Sequence, residues 1–222
     1  GVIKKIMSHS NILKRVFISA SFELKITPAN LSFINNLSPK SIELKGYNSI
    51  WIDLKDSIEE IRAKLEPKWR NMLVKSEKQE IEIKSSSSND YAYWLSEIHN
   101  NNMNEKSFNG LSKKMLQSIS DENDLDNPLV IYKALKDNTV VGSICIINHG
   151  KYATYLIGWT NADGRKSNVN YLLLWEAVKD LKLENKLGFD LGGIDNELTP
   201  NITSFKSKMN GETYNLVPSL WG

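Results

Sequence analysis

The sequence predicts an α+β (mixed α/β) fold, and three observations predict it. Three apolar runs, Val130–Leu135, Val140–Ile147 and Tyr152–Trp159, follow one another across the tight turns Asp137-Asn138 and His149-Gly150. Such spacing is that of an antiparallel meander. A helix-period stripe from Val169 to Asn185 then leads into a short apolar run, Leu187–Leu191, which ends at Gly192-Gly193. Upstream, a strand-like run is followed at once by a capped helix. Strands clustered together with helices available for their faces give this class.

The elements read in order as follows. Arg15–Ile26 alternates loosely and reads as a strand. Ser49–Leu54 is a second strand, with Ile50 and Ile52 on one face and Trp51 and Asp53 on the other. Ser57 with Glu60 three residues on is a capping box, and Ile58, Ile61, Leu65, Trp69, Met72 and Leu73 continue a helical stripe. Pro67 should kink or divide that stripe. Glu80–Lys84 is a short strand. Ser85–Asp90 is the one low-complexity stretch, a linker or a loop with a helix cap. It suggests a division into 1–84, an abbreviated first half or extension, and 85–222. Tyr91–Asn100 and Leu111–Ile119 read as helices. After the meander come the long helix, the Leu187–Leu191 strand, a helix over Ile202–Met209 and a strand near Tyr214.

Composition excludes several classes. The 222 residues are 41% hydrophobic, too apolar for disorder, yet no run approaches the ~20 apolar residues of a membrane span. The sequence therefore offers no integral membrane segment, and no secretory signal is read near Val16-Phe17-Ile18. The start at Gly1 reads as that of a fragment. A net charge of +2 does not mark a DNA-binding chain. One cysteine, Cys145, excludes an intramolecular disulfide and a multi-cysteine zinc site, and His9, His99 and His149 are too scattered to hold a metal. Cys145 with His149 is a nucleophile pair on paper; the turn position of His149 and the apolar run around Cys145 favour an inert thiol.

The stretch from Tyr152 to Met209 is the specific one. It carries Ala153–Asn161 (ATYLIGWTN), then Gly164-Arg165, Asn170–Ala177 (NYLLLWEA), Gly188–Ile194 (GFDLGGI) and Ile202–Gly211 (ITSFKSKMNG). Together these pieces resemble the acyltransferase half of the Fem-type (FemABX) aminoacyl transferases and, more broadly, the GNAT acyltransferase fold. The resemblance covers about 50–217 and is tightest over 129–211. It implies a GNAT-like fold with a largely antiparallel sheet flanked by helices, preceded here by a shortened first half.

The resemblance also implies a chemistry. The substrate amine attacks an acyl group directly, with no metal and no cofactor beyond the donor. Lys206, in the Phe205-Lys206 pair, lies at the reaction centre in the resembled family, where a cation stabilises the tetrahedral oxyanion or the leaving group. Asp190 is a general base or, as aspartates at tight turns commonly are, a partner of the Gly192-Gly193 backbone. Phe205 is a core anchor or a wall of the acyl site. Tyr155 and Trp159 are four residues apart on one strand, which places them on one face, walling a cleft or packing in the core. Arg70, beside Lys68, binds a diphosphate or decorates a helix surface. The turn Asp163–Asn168 before the long helix is the place for free backbone N–H groups. A GNAT pyrophosphate loop reads Gln/Arg-x-x-Gly-x-Gly/Ala; here Arg165 fits, but Asn168 and Asn170 stand where the small residues belong. This favours a charged tRNA acceptor end as the donor over acyl-CoA. The implied acceptor is an amine on an envelope precursor, and the implied location is the cytoplasm, at the inner membrane face. An acyl-CoA-dependent N-acyltransferase and a catalytically idle binding module are the alternatives.

Overall fold

A computed structural model describes residues 19–20, 24–37, 42–44, 46–121 and 128–221. Among these the chain forms, in order, β1 (Ser19–Ala20), α1 (Pro28–Leu37), β2 (Ile42–Leu44), β3 (Asn48–Asp53), α2 (Ile58–Lys64), α3 (Pro67–Glu77), β4 (Glu82–Ser86), α4 (Asn89–Lys106), α5 (Lys113–Ser120), β5 (Leu129–Lys136), β6 (Thr139–His149), β7 (Tyr152–Thr160), α6 (Ala162–Lys166), α7 (Val169–Leu183), β8 (Gly188–Asp190), α8 (Pro200–Ser207), β9 (Glu212–Asn215) and β10 (Ser219–Trp221). The chain divides into two compact units. One comprises 1–50, 193–203 and 212–222; the other comprises 51–192 and 204–211.

The larger unit is built on a sheet in the order β4-β5-β6-β7-β8-β3. Every neighbouring pair is antiparallel except β7 and β8, which run parallel over Tyr152–Thr154 and Gly188–Asp190. A parallel pair needs a crossover, and α6 with α7 supplies it. Helix α7 packs on β5, β6 and β7 and is itself covered by α3. Its residues Val169, Leu172, Leu173, Trp175, Ala177, Val178 and Leu181 are all buried, which explains why this stretch is apolar nearly all round. On the opposite face α4 packs on β5 and β7 and carries α5. There Ala92, Leu95, Leu116, Leu129, Ile131, Cys145 and Ile157 form a core. Each leucine or isoleucine among them contributes roughly 1.5–3 kcal/mol by leaving water.

Local signals act as the residue types require. Ser57 Oγ accepts from the Glu60 N–H and Glu60 Oε2 accepts from the Ser57 N–H, at 3.2 and 2.8 Å, closing the capping box of α2. Pro67 divides the stripe: it is the first residue of α3, where its missing N–H costs nothing. The serine run is the end of β4 followed by Ser88 at the N-cap of α4. Residues 84 and 85, the division suggested by the sequence, are therefore neighbours within one strand of the larger unit.

The smaller unit carries the antiparallel sheet β1-β10-β2, and β9 lies beside β3, whose first residues belong to this unit. Helix α1 buries Ile34 against Val217, with Leu24 and Leu31 packed around them. Gly46 is required here, since a Cβ would stand 2.1 Å from the Leu216 carbonyl oxygen. The expected strand over Arg15–Ile26 falls largely outside the described residues, as does His9. Its described part supplies only β1 and a bridge from Lys25 to Leu216. Helices α1 and α6 were not legible in the apolar pattern. Among the described residues no helix is long and apolar enough to cross a membrane.

Candidate active site

Strands β7 and β8 part company after Thr154 and Asp190. Beyond that point β7 continues for six residues, Tyr155–Thr160, while the chain after β8 turns away. The turn is built by Asp190, whose Oδ1 accepts the Gly192 N–H at 2.8 Å. Gly192 has φ +73°, and a Cβ there would lie 2.3 Å from the Tyr155 carbonyl oxygen. Only glycine allows that approach. The same hypothetical Cβ would be 3.5 Å from Lys206 Nζ, so the lysine reaches into this notch.

Lys206 is 6% exposed. Its ammonium stands 5.3 Å from the centroid of the Tyr155 ring, over the face that attracts cations. Burial pulls its pKa down to about 8, and the carboxylate of Asp190 opposes the fall. The Tyr155 hydroxyl is pushed above its ordinary value, by burial first and by Cys145 second, and stays protonated. Its position depends on Gly158, where a Cβ would lie 2.0 Å from the phenol oxygen. The sequence signal for this was available: a glycine inside a strand marks a close approach or a bulge.

Phe205 is the anchor that sets the height of Lys206. Its ring is 5.0 Å from Tyr171, nearly perpendicular at 86°, and 6.0 Å from Trp69. Trp69 and Tyr171 are themselves 5.1 Å apart. Trp69 is fully buried, so the trio is a rigid footing contributed by α3, α7 and α8. The Lys206 carbonyl also accepts from the Met209 N–H, and the Lys208 carbonyl accepts from the Glu66 N–H, which ties this end of α8 to the α2–α3 corner.

Other residues singled out by sequence sit elsewhere. Trp159 does not share a face with Tyr155. The pairing of β6 with β7 shifts between Cys145/Ile157 and Ile146/Tyr155, leaving Leu156 as an extra residue. That bulge reverses the alternation beyond it. Tyr155 and Gly158 share one face, and Trp159 packs against Trp94 of α4 at 6.2 Å. Arg70 donates to the Ala63 carbonyl, at the end of α2. Cys145 and His149 lie four residues apart on one strand, ~13 Å along it. Cys145 is fully buried, its thiol pushed up to about 12 by desolvation, and His149 Nε2 faces Thr154 Oγ1 at 2.8 Å. The two do not form a nucleophile pair.

The corner before α7 is a short helix rather than the open turn expected. Asn161 caps α6 by accepting the Gly164 N–H at 2.8 Å. Gly164 is wedged so that a Cβ would lie 2.0 Å from the Val141 carbonyl oxygen. Arg165 is exposed and folds back, Nη1 donating to the Thr160 carbonyl at 2.9 Å. Asn168 takes the left-handed conformation at φ 57° at the N-cap of α7 without capping by its side chain. Asn170 Oδ1 is buried and has no hydrogen-bond partner among the described residues.

The helix that crosses from β7 to β8 lies within a stretch that matches a family in sequence. Residues 68–206 match the acetyltransferase (GNAT) domain. The chain belongs to the GNAT acetyltransferase-domain family. It is thus an acyltransferase at the level of its family, and its fold is GNAT-like. Among solved structures the fold is similar to that of FemX, with a TM-score of 0.77 at 10% identity over 99% of this chain and 75% of that one. It is similar also to L-PGS from Bacillus licheniformis, at 0.63 and 12% over 99% and 72%. A tandem GNAT protein from the clavulanic acid biosynthesis pathway follows at 0.56 and 11% over 99% and 67%. At these identities the likeness is one of fold. No curated protein matches the chain in sequence.

Proposed function

We propose that this GNAT-family chain is a Fem-like transferase. It moves an aminoacyl group from the ester of a charged tRNA acceptor end to an amine of a peptidoglycan-type envelope precursor. The observation that carries the reading is Lys206, held nearly out of water over Tyr155 at the parting of β7 and β8. The neutral amine attacks the ester carbonyl and a C–N bond forms. The carbonyl oxygen takes the charge beside the Lys206 ammonium. The C–O bond to the ribose then breaks, and the ribose oxygen takes a proton as the amine loses one. A lysine with a pKa of about 8 is suited both to stabilise the oxyanion as the ammonium and to give its own proton to the ribose oxygen, the proton lost by the amine then restoring the ammonium. Asp190 acts as a positioning residue: it forms the Gly192 turn and favours the ammonium form of Lys206.

The α6–α7 corner supports a donor other than coenzyme A. Arg165 is spent on the Thr160 carbonyl, and asparagines occupy the places of the small residues that let a pyrophosphate approach the backbone. The reading places the protein in the cytoplasm, at the inner membrane face where such precursors are carried. The match to the acetyltransferase (GNAT) domain favours a second reading, an acyl-CoA-dependent N-acyltransferase. A titration separates the two. The protein and its Lys206→Ala variant are titrated with acetyl-CoA and, separately, with an aminoacylated acceptor-end mimic. Binding of the mimic, with turnover lost in Lys206→Ala, supports the proposal. Micromolar binding of coenzyme A alone replaces it with the second reading, and binding of neither donor leaves an idle module.

A further inference from the structure

One sheet face of the larger unit carries an aromatic row that the transfer chemistry does not use. His149 pairs with Tyr152, Tyr152 with Gly188, and Gly188 with Asp53; Trp51 and Thr154 both pair with Asp190. Paired residues share a face. The intervening row, Ile52, Phe189 and Ala153, is buried on the other side. The Trp51 and Tyr152 rings are 5.4 Å apart at 56°, and His149 and Tyr152 are 6.4 Å apart at 40°. Tyr152 is 41% exposed. Gly188 makes the row possible: a Cβ there would lie 2.0 Å from Trp51 Cζ2, so the indole lies across the strand where any side chain would lift it off.

We propose that Trp51, Tyr152 and His149 form a subsite for a sugar ring of the acceptor. The proposal rests on the transferase reading for the acceptor's identity and deepens it. Rings inclined at 56° and 40° make a shallow trough, which suits a puckered ring with C–H groups on its faces; a planar base needs a flat surface. The rim carries the exposed Asp53 carboxylate and the His149–Thr154 pair, whose hydroxyl and imidazole, 2.8 Å apart, hold each other in place and keep further capacity for hydroxyls. Lys186, a nearby cation that a nucleotide phosphate would call on, donates to the Gly150 carbonyl. Trp51 and Thr154 each stand one strand spacing, ~4.8 Å, from Asp190. A ring on the row therefore lies beside Asp190, whose carboxylate holds the Gly192 turn that bounds the notch.

The test reads binding, not turnover. The protein labelled with 15N is titrated with the β-1,4 dimer of N-acetylglucosamine and, in parallel, with adenosine monophosphate. The expected result is saturable shifts of the Trp51 indole N–H and the Tyr152 and His149 amides with the saccharide. Tyr152→Ala should weaken this by about fivefold, Tyr152→Phe should restore it, and Lys206→Ala, which removes transfer, should keep the wild-type saccharide curve. Unchanged saccharide binding in Tyr152→Ala, shifts scattered away from the row, or shifts there with adenosine monophosphate alone overturns the proposal. Loss of transfer in Lys206→Ala with no saccharide shifts leaves the transferase reading standing and the subsite refuted.

Discussion

Two corners of the larger unit each offer a basic side chain beside a glycine turn, and they are built to opposite ends. At the β7–β8 notch Lys206 is 6% exposed and set over Tyr155, and its chain neighbour Phe205 packs with Trp69 and Tyr171. At the α6–α7 corner Arg165 is exposed and one of its N–H groups donates to the carbonyl at the end of β7. The first arrangement keeps a charge where water screens it little, the setting in which the proposed stabilisation of an oxyanion is strongest. The second spends its charge on its own backbone, in solvent. A cation near a turn is thus not enough to mark a site; its desolvation and its footing decide.

Mutations can break this contrast, and the largest effect belongs to the notch. Lys206→Ala should lower turnover by about 10²–10³, the loss typical of removing one oxyanion donor. Single-turnover assays with the acylated donor check it, and a tenfold or smaller loss would move the chemistry away from Lys206. Trp69→Ala removes the fully buried ring under Phe205 and should cost about 3–5 kcal/mol in denaturant unfolding. A cost under ~1 kcal/mol would show that the aromatic footing is dispensable.

The lysine also has a pH signature. Its folded pKa, about 8, is below its ordinary 10.5. The unfolded chain therefore holds the extra proton between those values, and wild-type stability rises with pH across that window. Lys206→Met should stabilise the fold by on the order of 3 kcal/mol below pH 8, the gain fading as pH approaches 10.5. Thermal melts of both proteins at several pH values measure it, and a pH-independent difference would contradict it. Activity should fall in the opposite sense, declining as pH rises through about 8 and the ammonium is lost.

Smaller effects sharpen the contrast. Gly192→Ala forces a Cβ toward the Tyr155 carbonyl at a positive φ, a strain of about 1–3 kcal/mol. It should depress turnover more than substrate binding, because the displaced atom neighbours Lys206 Nζ. Arg165→Ala should change stability by no more than ~0.5 kcal/mol and leave donor affinity as it was. A tenfold loss of coenzyme A binding in that variant would instead give the corner a phosphate-binding role.

Much of this was legible in the residues, for local reasons. The capping box at Ser57 and Glu60, the break at Pro67 and the Gly192 turn each involve neighbours in sequence, and each is found as the residue types dictate. The meander was legible because its turns are short. The parallel β7–β8 pair was not, since a strand's partner across a helix leaves no local mark. Trp159 shows the limit most clearly. Its spacing from Tyr155 obeys the period of a strand, but one extra residue at Leu156, set by pairing with β6, turns it to the other face. Gly158, missed as a functional position, matters only because a phenol folds over it.

The sequence by itself determined the meander, the long helix, the caps and turns around them, and the motif around Phe205-Lys206, since these follow from residue chemistry and spacing along the chain. Only the tertiary structure decided which of the singled-out side chains meet. It brought Lys206 to Tyr155, Gly192 and Asp190 and sent Trp159, Arg70 and Arg165 elsewhere. The physical reason is that sheet register and burial are set by partners distant in sequence. Burial is also what gives Lys206 a pKa that none of its chain neighbours could predict.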